Sequence, residues 1–232
     1  MAAEITRQLL ADLTKLDTPT ICNALENIDQ KFRDSGFTTE PLVCPFPDLK
    51  PIVGFARTGM IRAMRPNATS DAAKRVDYYE YASKGDMPKI TILQDLDGAN
   101  AGYGAFWGEV NSNIHKALGS LGVVTDGCIR DIPDWAEGFQ ALAGSIKPSH
   151  AHVHIEDFGN QVNVSGMVVS HDDLIHADQH GAVVIPKDLA GEVLVAAGRV
   201  AAGEKIILDL CKSDSFSFEK LKQTMLGPKD IH

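Results

Sequence analysis

Cysteine is scarce in this chain and scattered. The four cysteines, Cys22, Cys44, Cys128 and Cys211, form no C-x-x-C pair, which argues against a zinc ribbon or a dense disulfide framework. They read as reduced thiols of a cytoplasmic protein. No basic run occurs, and 22 Lys and Arg face 31 Asp and Glu for a net charge of −9, so non-specific nucleic-acid binding is disfavoured. One buried Arg can still dominate a pocket, so acidity does not exclude a small anionic substrate. No segment approaches the roughly 18–20 apolar residues of a membrane span. The N-terminus, Met1-Ala-Ala-Glu-Ile-Thr-Arg, turns amphipathic at once and lacks the apolar core of a signal peptide. Ser145 and Ser165-Gly166 lie in no G-x-S-x-G elbow. Gly102-Tyr-Gly104 is a fragment of a dinucleotide fingerprint without the rest, and no P-loop is present. Repeats and low-complexity linkers are absent too. The 232 residues, 44% hydrophobic, therefore read as one domain, 1–232, with a partly amphipathic tail over about 213–232.

What is present is a series of short periodic segments. Ile5, Leu9, Leu10 and Leu13 share one face of an opening helix that ends near Asp17. Thr18 as N-cap, with Pro19 at the first helical position, predicts a second helix with Ile21, Leu25 and Ile28 inward. Residues 29–50 read as a long loop, 57–64 as a strand, Ser70–Lys84 as a charged helix and Lys89–Leu93 as a short strand. After a Gly/Ala/Asp-rich loop over 94–108, Val110, Ile114, Ala117 and Leu118 recur at helical spacing. Leu121–Thr125 reads as a buried strand, followed by the turn signal Asp126-Gly127. Pro133 opens a short helix, and Phe139–Ile146 returns as a strand. Residues 151–169 read as β structure and Ala182–Ile185 as a strand closed by Pro186. Residues 188–212 form the longest helical pattern, with Leu189, Val193, Ala197 and Val200 in register. Helices first, then strands interleaved with short helices, then a block of strands: the order is α+β.

Three constellations carry chemistry. Glu109 stands at a helix start, where free N–H groups and the helix dipole suit a carboxylate ligand, and the small Gly104 and Gly108 would let one approach the backbone. Its bland reading is a side chain that favours the dipole from the first turn. Arg130-Asp131 follows an apolar strand; the guanidinium is a fixed fork suited to a carboxylate. Asp131 is also a natural N-cap for the helix that Pro133 opens. A hard divalent cation takes oxygen ligands and keeps several waters, which suits Asp131 with Glu109 one water further out. Finally, His150, His152 and His154 fall at i, i+2 and i+4, so on a strand they share a face that Glu156 extends. Imidazoles favour zinc, iron or copper, so a His-ligated metalloenzyme is a rival reading; a polar strand face or a subunit contact is the bland one. His171, His176 and His180 sit among Asp172, Asp173 and Asp178 and read as polar loops. Cys128, two residues before Arg130, is either a thiol of lowered pKa or a small apolar packing residue.

An acidic residue, twenty intervening positions and Arg-Asp is the pattern of Glu109 and Arg130-Asp131, set within Trp107-Gly-Glu and Gly122-Val-Val-Thr-Asp-Gly-Cys-Ile-Arg-Asp. It resembles the 4-hydroxy-4-methyl-2-oxoglutarate aldolase family, the metal-dependent pyruvate aldolases, whose relatives include the regulator of ribonuclease activity A. Thr18-Pro-Thr with Asn23-Ala-Leu, and Gly181-Ala-Val-Val-Ile-Pro before a long helix, extend the likeness over roughly residues 15–205. The resemblance implies a single α/β domain of the swivelling β/β/α type, assembled as a homotrimer or homohexamer. It implies that Asp131 holds Mg2+ or Mn2+ largely through water, and that Arg130 binds the pyruvyl group and steadies its enolate. Backbone amides around Gly104, Ala105, Phe106 and Trp107 would hold the keto-acid carboxylate, and Glu109 would position a proton-shuttling water. The implied activity is cleavage of a small 2-keto acid to pyruvate, with oxaloacetate decarboxylation beside it. Regulator-type members lack the Asp after the Arg, so Asp131 favours an enzyme over a non-catalytic protein-binding regulator. The chain departs from the family in three places. Glu109 stands where aldolases often have Asp, and Asn23 where many have Asp. The segment Pro148-Ser-His-Ala-His-Val-His lies outside the general pattern and bears on substrate choice.

Overall fold

The computed structural model describes residues 4–67 and 72–226. In chain order the helices are α1 (Arg7–Leu13), α2 (Thr18–Ile28), α3 (Ala72–Ser83), α4 (Glu109–Ala117), α5 (Ala190–Lys212) and α6 (Phe218–Leu226). The strands are β1 (Ile52–Arg62), β2 (Lys89–Asp95), β3 (Ala105–Trp107), β4 (Ser120–Ile129), β5 (Gln140–Ile146), β6 (His154–Phe158), β7 (Val162–Val164), β8 (Met167–Val169), β9 (Leu174–Asp178) and β10 (Gly181–Ile185). Eight strands form one sheet in the order β10-β9-β1-β2-β4-β3, with β5 also on β4 and β6 also on β1. The centre, β1-β2-β4 with β3 and β5, is parallel; β6, β9 and β10 are antiparallel. Parallel strands are covered on both faces, and β2 accordingly reads as an almost unbroken buried run.

Alternation along the strands sorts the core into layers. Ile92, Val124 and Leu142 face one way, against Val162, Val164, Met167 and Val169 of the β7–β8 hairpin. Leu93, Val123, Ala141 and Ala143 face the other way, with Tyr78 of α3 and with Phe106 and Trp107. At the antiparallel end, Leu10, Leu13, Ile21, Leu25, Val193 and Ala197 pack on Val53, Leu174 and Val183. The architecture is thus a two-stranded sheet, the main sheet and a helical layer, the β/β/α arrangement the resemblance implies.

The predicted elements hold with local differences. The opening helix stops at Leu13. Asp17, not Thr18, caps α2, its carboxylate accepting the Thr20 N–H at 2.9 Å. Thr18 is then free to lie inside, where its N–H donates to Asp178 Oδ2 (2.9 Å) and its hydroxyl meets His176 Nδ1 (3.0 Å). His176 Nε2 lies 3.0 Å from the Leu16 carbonyl, which only accepts, so Nε2 carries the proton and Nδ1 accepts from Thr18. His176 and Asp178, read as loop residues, are therefore buried in β9, and burial holds the His176 pKa below its usual range. The strand read at 57–64 begins at Ile52, and the loop read at 94–108 contains β3. Asp126-Gly127, read as a turn, lies inside β4 where its register with β5 shifts. Ser70 and the residues after Leu226 lie outside the described residues.

The Thr18–His176 bond joins the N-terminal helices to the sheet. Thr18→Val keeps the shape and leaves a buried imidazole nitrogen unpaired. It is expected to cost about 1–3 kcal/mol in urea unfolding; an unchanged midpoint at unchanged slope would contradict this role.

Candidate active site

Two parallel strands end side by side. The β3–β4 register puts Ala105 opposite Cys128 and Trp107 opposite Ile129, and the Arg130 N–H donates to the Trp107 carbonyl at 3.0 Å. Beyond Trp107 the chain turns through Gly108 into α4; beyond Ile129 it delivers Arg130 and Asp131. Crevices at the C-terminal ends of parallel strands are where α/β folds bind ligands. Here that crevice is a cavity of about 800 Å³ whose walls include Phe106, Glu109, Ile114, Arg130, Asp131 and His152.

The glycines serve contacts within the chain rather than the approach of a ligand. A Cβ on Gly108 would sit 2.5 Å from Asp131 Oδ2, and one on Gly104 would sit 2.5 Å from the His150 carbonyl. The first contact lets the Asp131 carboxylate reach the start of α4, where Oδ2 lies 3.4 Å from the Glu109 nitrogen. The second lets residues 148–151 close on β3, with Ala105 N–H donating to the Ser149 carbonyl at 2.9 Å. Asp131 does not cap the short helical turn Ile132–Asp134 with its side chain. It turns back instead to α4 and to Arg130, whose Nε is 3.3 Å from Oδ2.

Asp131 holds a left-handed backbone, φ 55°. That conformation costs a non-glycine residue about 1–2 kcal/mol. The Arg130–Asp131 pair is 36% and 37% exposed, and ion pairs so wet contribute only about 0–1 kcal/mol. The pair therefore does little for stability. Arg130 Nη1 also lies 3.4 Å from the Pro148 carbonyl.

Gly108 offers α4 no side-chain cap; the Glu109 N–H donates to Asp131 Oδ2, and the next N–H groups, of Val110 and Asn111, have no hydrogen-bond partner among the described residues outside the helix. Asn111 fixes this helix start: its amide donates to the Phe106 carbonyl, and its Oδ1 accepts from Tyr79 Oη at 2.6 Å. The substrate-binding stretch predicted at residues 104–107 divides. Ala105 and Phe106 line the cavity, whereas Gly104 and Trp107 do not. The Ala105 amide is spent on Ser149, and the Trp107 indole is buried against His115 (ring centroids 4.4 Å apart) and Phe139. Amides available to a carboxylate begin one step later, at the start of α4.

The histidine segment does not form the strand face expected of it. Only His154 belongs to β6; Ala151 has φ 46° and turns the chain before it. His150, His152 and His154 all border the cavity, but His150 Nδ1 bonds the Ala151 carbonyl and His154 bonds the His152 carbonyl and Glu156. Among the described residues no group of three or more His, Cys, Asp or Glu is arranged to hold a metal ion. Cys128 is buried, and burial pushes its thiol up to about 11, so it packs as a small apolar residue.

Sequence reasoning missed the carboxylates under the site. Asp95 Oδ2 accepts the Gly102 N–H (2.7 Å), and Oδ1 accepts the Asp97 N–H (3.0 Å). Asp97 in turn accepts the Ala63 and Met64 N–H groups, and Asp126 Oδ1 accepts the Asp95 N–H (2.7 Å). Together they tie the loop before β3 to β1, β2 and β4. Burial raises the pKa of Asp95, and raises that of Asp126 to about 6. The signal was Asp95-Leu-Asp97, which composition alone makes a loop.

A layered α/β domain with an open, polar cavity at the ends of parallel strands defines the class. Within it, the chain belongs to the RraA-like family (Aldolase/RraA), matched over residues 18–184. That family includes both lyases and ribonuclease-inhibitor-type members. An uncharacterized protein of Methanocaldococcus jannaschii, MJ0644, is 31% identical over 118 residues, which are 50% of this chain and 57% of that protein. The chain thus spans a little over half the length of that curated relative. Streptomyces coelicolor RraAS2, described as an unusual member of the RNase ES inhibitor RraA family, superposes with a TM-score of 0.69 at 21% identity, covering 88% of this chain and 97% of its own. A structure from a set of cellulases of gut-associated microbes superposes at 0.72 with 17% identity, covering 89% and 90%. At such identities these two likenesses establish the fold alone.

Asp126 tests the buried carboxylates. Its carboxyl titrates near 3.8 when unfolded and near 6 when folded, so the folded state binds the extra proton between those values. Above pH 6 the native state carries a buried charge that the unfolded chain carries more cheaply. Asp126→Asn keeps the Asp95 bond without that charge. It is expected to raise stability at pH 7.5 by no more than about 3 kcal/mol and to change it little below pH 3.8. A gain independent of pH would contradict the assignment.

Proposed function

We propose that this chain is a divalent-metal-dependent lyase that cleaves a carbon–carbon bond of a small 2-keto acid to release pyruvate, with oxaloacetate decarboxylation as a side activity. The observation that carries the reading is the meeting of Arg130, Asp131, Glu109 and the open end of α4 at one cavity. Asp131 fits a hard cation: Oδ2 is engaged by Arg130, while Oδ1 has no hydrogen bond among the described residues and is free to ligate. One carboxylate with waters, and Glu109 beside it, is the oxygen-only donor set of Mg2+ or Mn2+. Held there, such an ion supplies Lewis-acid polarisation of the keto acid's chelating oxygens.

The chain's own groups account for the rest. The Val110 and Asn111 N–H groups, next after the one that Asp131 engages, take the keto-acid carboxylate. Arg130, always charged, donates to the keto oxygen, where negative charge grows as the bond breaks. Glu109, through a water, takes the proton of the substrate hydroxyl. The electron pair of that O–H bond becomes the new carbonyl, and the carbon–carbon pair moves into the enolate of pyruvate. A proton returned to the methylene carbon completes the product. Oxaloacetate loses carbon dioxide to the same enolate, which is why both reactions belong to one site. The family resemblance supports a cytoplasmic homotrimer or homohexamer acting on a small-molecule keto acid, without nucleic acid or membrane as partner.

Arg130→Ala and Asp131→Asn are each expected to lower kcat/KM by about 100-fold or more in a keto-acid panel read by coupled pyruvate detection, with wild-type circular dichroism. Wild-type turnover in either variant rejects the assignment. Chelator is expected to abolish activity and added Mg2+ or Mn2+ to restore it; full activity in chelator overturns the metal's role. No cleavage of any keto acid with metal present, together with binding to a ribonuclease, would favour the regulator instead.

A further inference from the structure

In the proposed cleavage the enolate carbon must be protonated before pyruvate can leave, and Glu109 serves the other end of the reaction, at the substrate hydroxyl. Few groups around the cavity can give that proton. Tyr79 spends its hydroxyl proton on Asn111 Oδ1 (2.6 Å). α4 packs by its polar side, burying Ser112 and His115 and leaving the apolar Val110 69% exposed. Both nitrogens of His115 are engaged there, Nδ1 by the Asn111 carbonyl (2.8 Å) and Nε2 by the Tyr78 hydroxyl (3.0 Å). His154 is buried, with Nδ1 on the His152 carbonyl (2.8 Å) and Nε2 on Glu156 (3.3 Å). The ring of His152 borders the cavity without a hydrogen-bond partner among the described residues, so nothing fixes its orientation or its tautomer. His150 differs from all of these. It is exposed and borders the same cavity. Its Nδ1 lies 2.7 Å from the Ala151 carbonyl, which only accepts, so Nδ1 carries a proton and Nε2 is the free end of the ring. A ring held by one nitrogen with the other open is the form in which an imidazole shuttles protons.

We propose that His150 is a catalytic residue of this site: its Nε2, directly or through one water, gives the proton that turns the enolate into pyruvate. This rests on the lyase reading. The strap of residues 148–153 holds the ring in place through its backbone. Ala105 N–H donates to the Ser149 carbonyl (2.9 Å), Ala151 N–H to Ser149 Oγ (3.0 Å) and Val153 N–H to the His150 carbonyl (3.0 Å). The His150 carbonyl seats against Gly104, a contact that any Cβ there would obstruct. Arg130 joins the strap to the opposite wall. Its Nη1 is 3.4 Å from the Pro148 carbonyl, two residues before His150, and its Nε is 3.3 Å from Asp131 Oδ2 at the start of α4. An enolate oxygen on Arg130 therefore has Asp131 and Glu109 on one side and the His150 strap on the other. In the step, the Nε2 proton passes to the methylene carbon. The pair of the carbon–carbon double bond becomes the new C–H bond, and the charge on oxygen returns to form the keto group. The ring, left neutral, takes its next proton from solvent, to which it is exposed. Run backwards, the step takes a methyl proton from pyruvate, so the same group exchanges those protons with water.

Proton NMR of pyruvate in heavy water, with Mg2+ and the full chain, reads this exchange as loss of the methyl signal. The wild type is expected to exchange the methyl protons. His150→Ala is expected to do so about 100-fold more slowly. So is His150→Gln, which keeps a hydrogen-bonding side chain that cannot shuttle a proton. Free imidazole is expected to restore exchange to His150→Ala, a rescue that a purely structural role would not give. Oxalate, a planar dianion shaped like the enolate, is expected to bind the wild type and both variants alike in titration calorimetry with Mg2+. Exchange at the wild-type rate in the variants, a loss that imidazole does not relieve, or loss of oxalate binding overturns the assignment. A wild type that cleaves a keto acid without exchanging pyruvate overturns it too, while the lyase reading stands. A wild type that does neither fails the lyase reading itself, and the role of His150 falls with it.

Discussion

The hydrogen bond from the Arg130 amide to the Trp107 carbonyl, last rung of the β3–β4 ladder, is the constraint on which the site depends. It fixes the ends of two strands side by side, so that the residues beyond each end must share one crevice. After Trp107 comes a glycine and a helix start; after Ile129 come a guanidinium and a carboxylate. No loop search is needed to bring them together. The buried carboxylates Asp95, Asp97 and Asp126 reinforce the pairing from below by binding backbone amides around it. Those amides are satisfied by charged acceptors at the cost of burying charge, an exchange that holds a loop firmly in place.

The site is built at some expense to the fold. Asp131 sits in a left-handed conformation that glycine would adopt more easily, and its ion pair is too exposed to compensate. Gly108 is kept free of a side chain so that the carboxylate can lie against the helix start. Trp107 leaves an indole N–H buried without a partner among the described residues, directly beneath the same strand end. Such departures are tolerated because the layers around them are well packed. The β7–β8 hairpin and the helical layer close both faces of the sheet.

Much of this was legible in the sequence, and the exceptions share a cause. The α2 helix, though capped one residue earlier, by Asp17, the α5 register and the strand at Phe139–Ile146 follow from local periodicity and caps, which depend only on neighbours in the chain. The inverted α4 does not. Its apolar period locates the helix but not the side that packs, because the core accepts Ser112 and His115 once Ala136 and Tyr78 supply their hydrogen bonds. β3 was hidden because three residues carry no period. The histidine face failed because Ala151 takes a turn conformation that alternation cannot reveal.

The sequence by itself determined the residue types at the site and their spacing: Glu109 at a helix start and Arg130-Asp131 after an apolar strand. It also determined the family pattern they form, since helix starts and strand ends are written in local chemistry. Only the tertiary structure decided that the Asp131 carboxylate turns to α4 rather than to its own following turn. It alone decided that Gly104 and Gly108 serve internal contacts, and that the apolar stripe of α4 faces outward. Each of these depends on groups distant in the chain reaching atomic contact, and no local pattern encodes that distance.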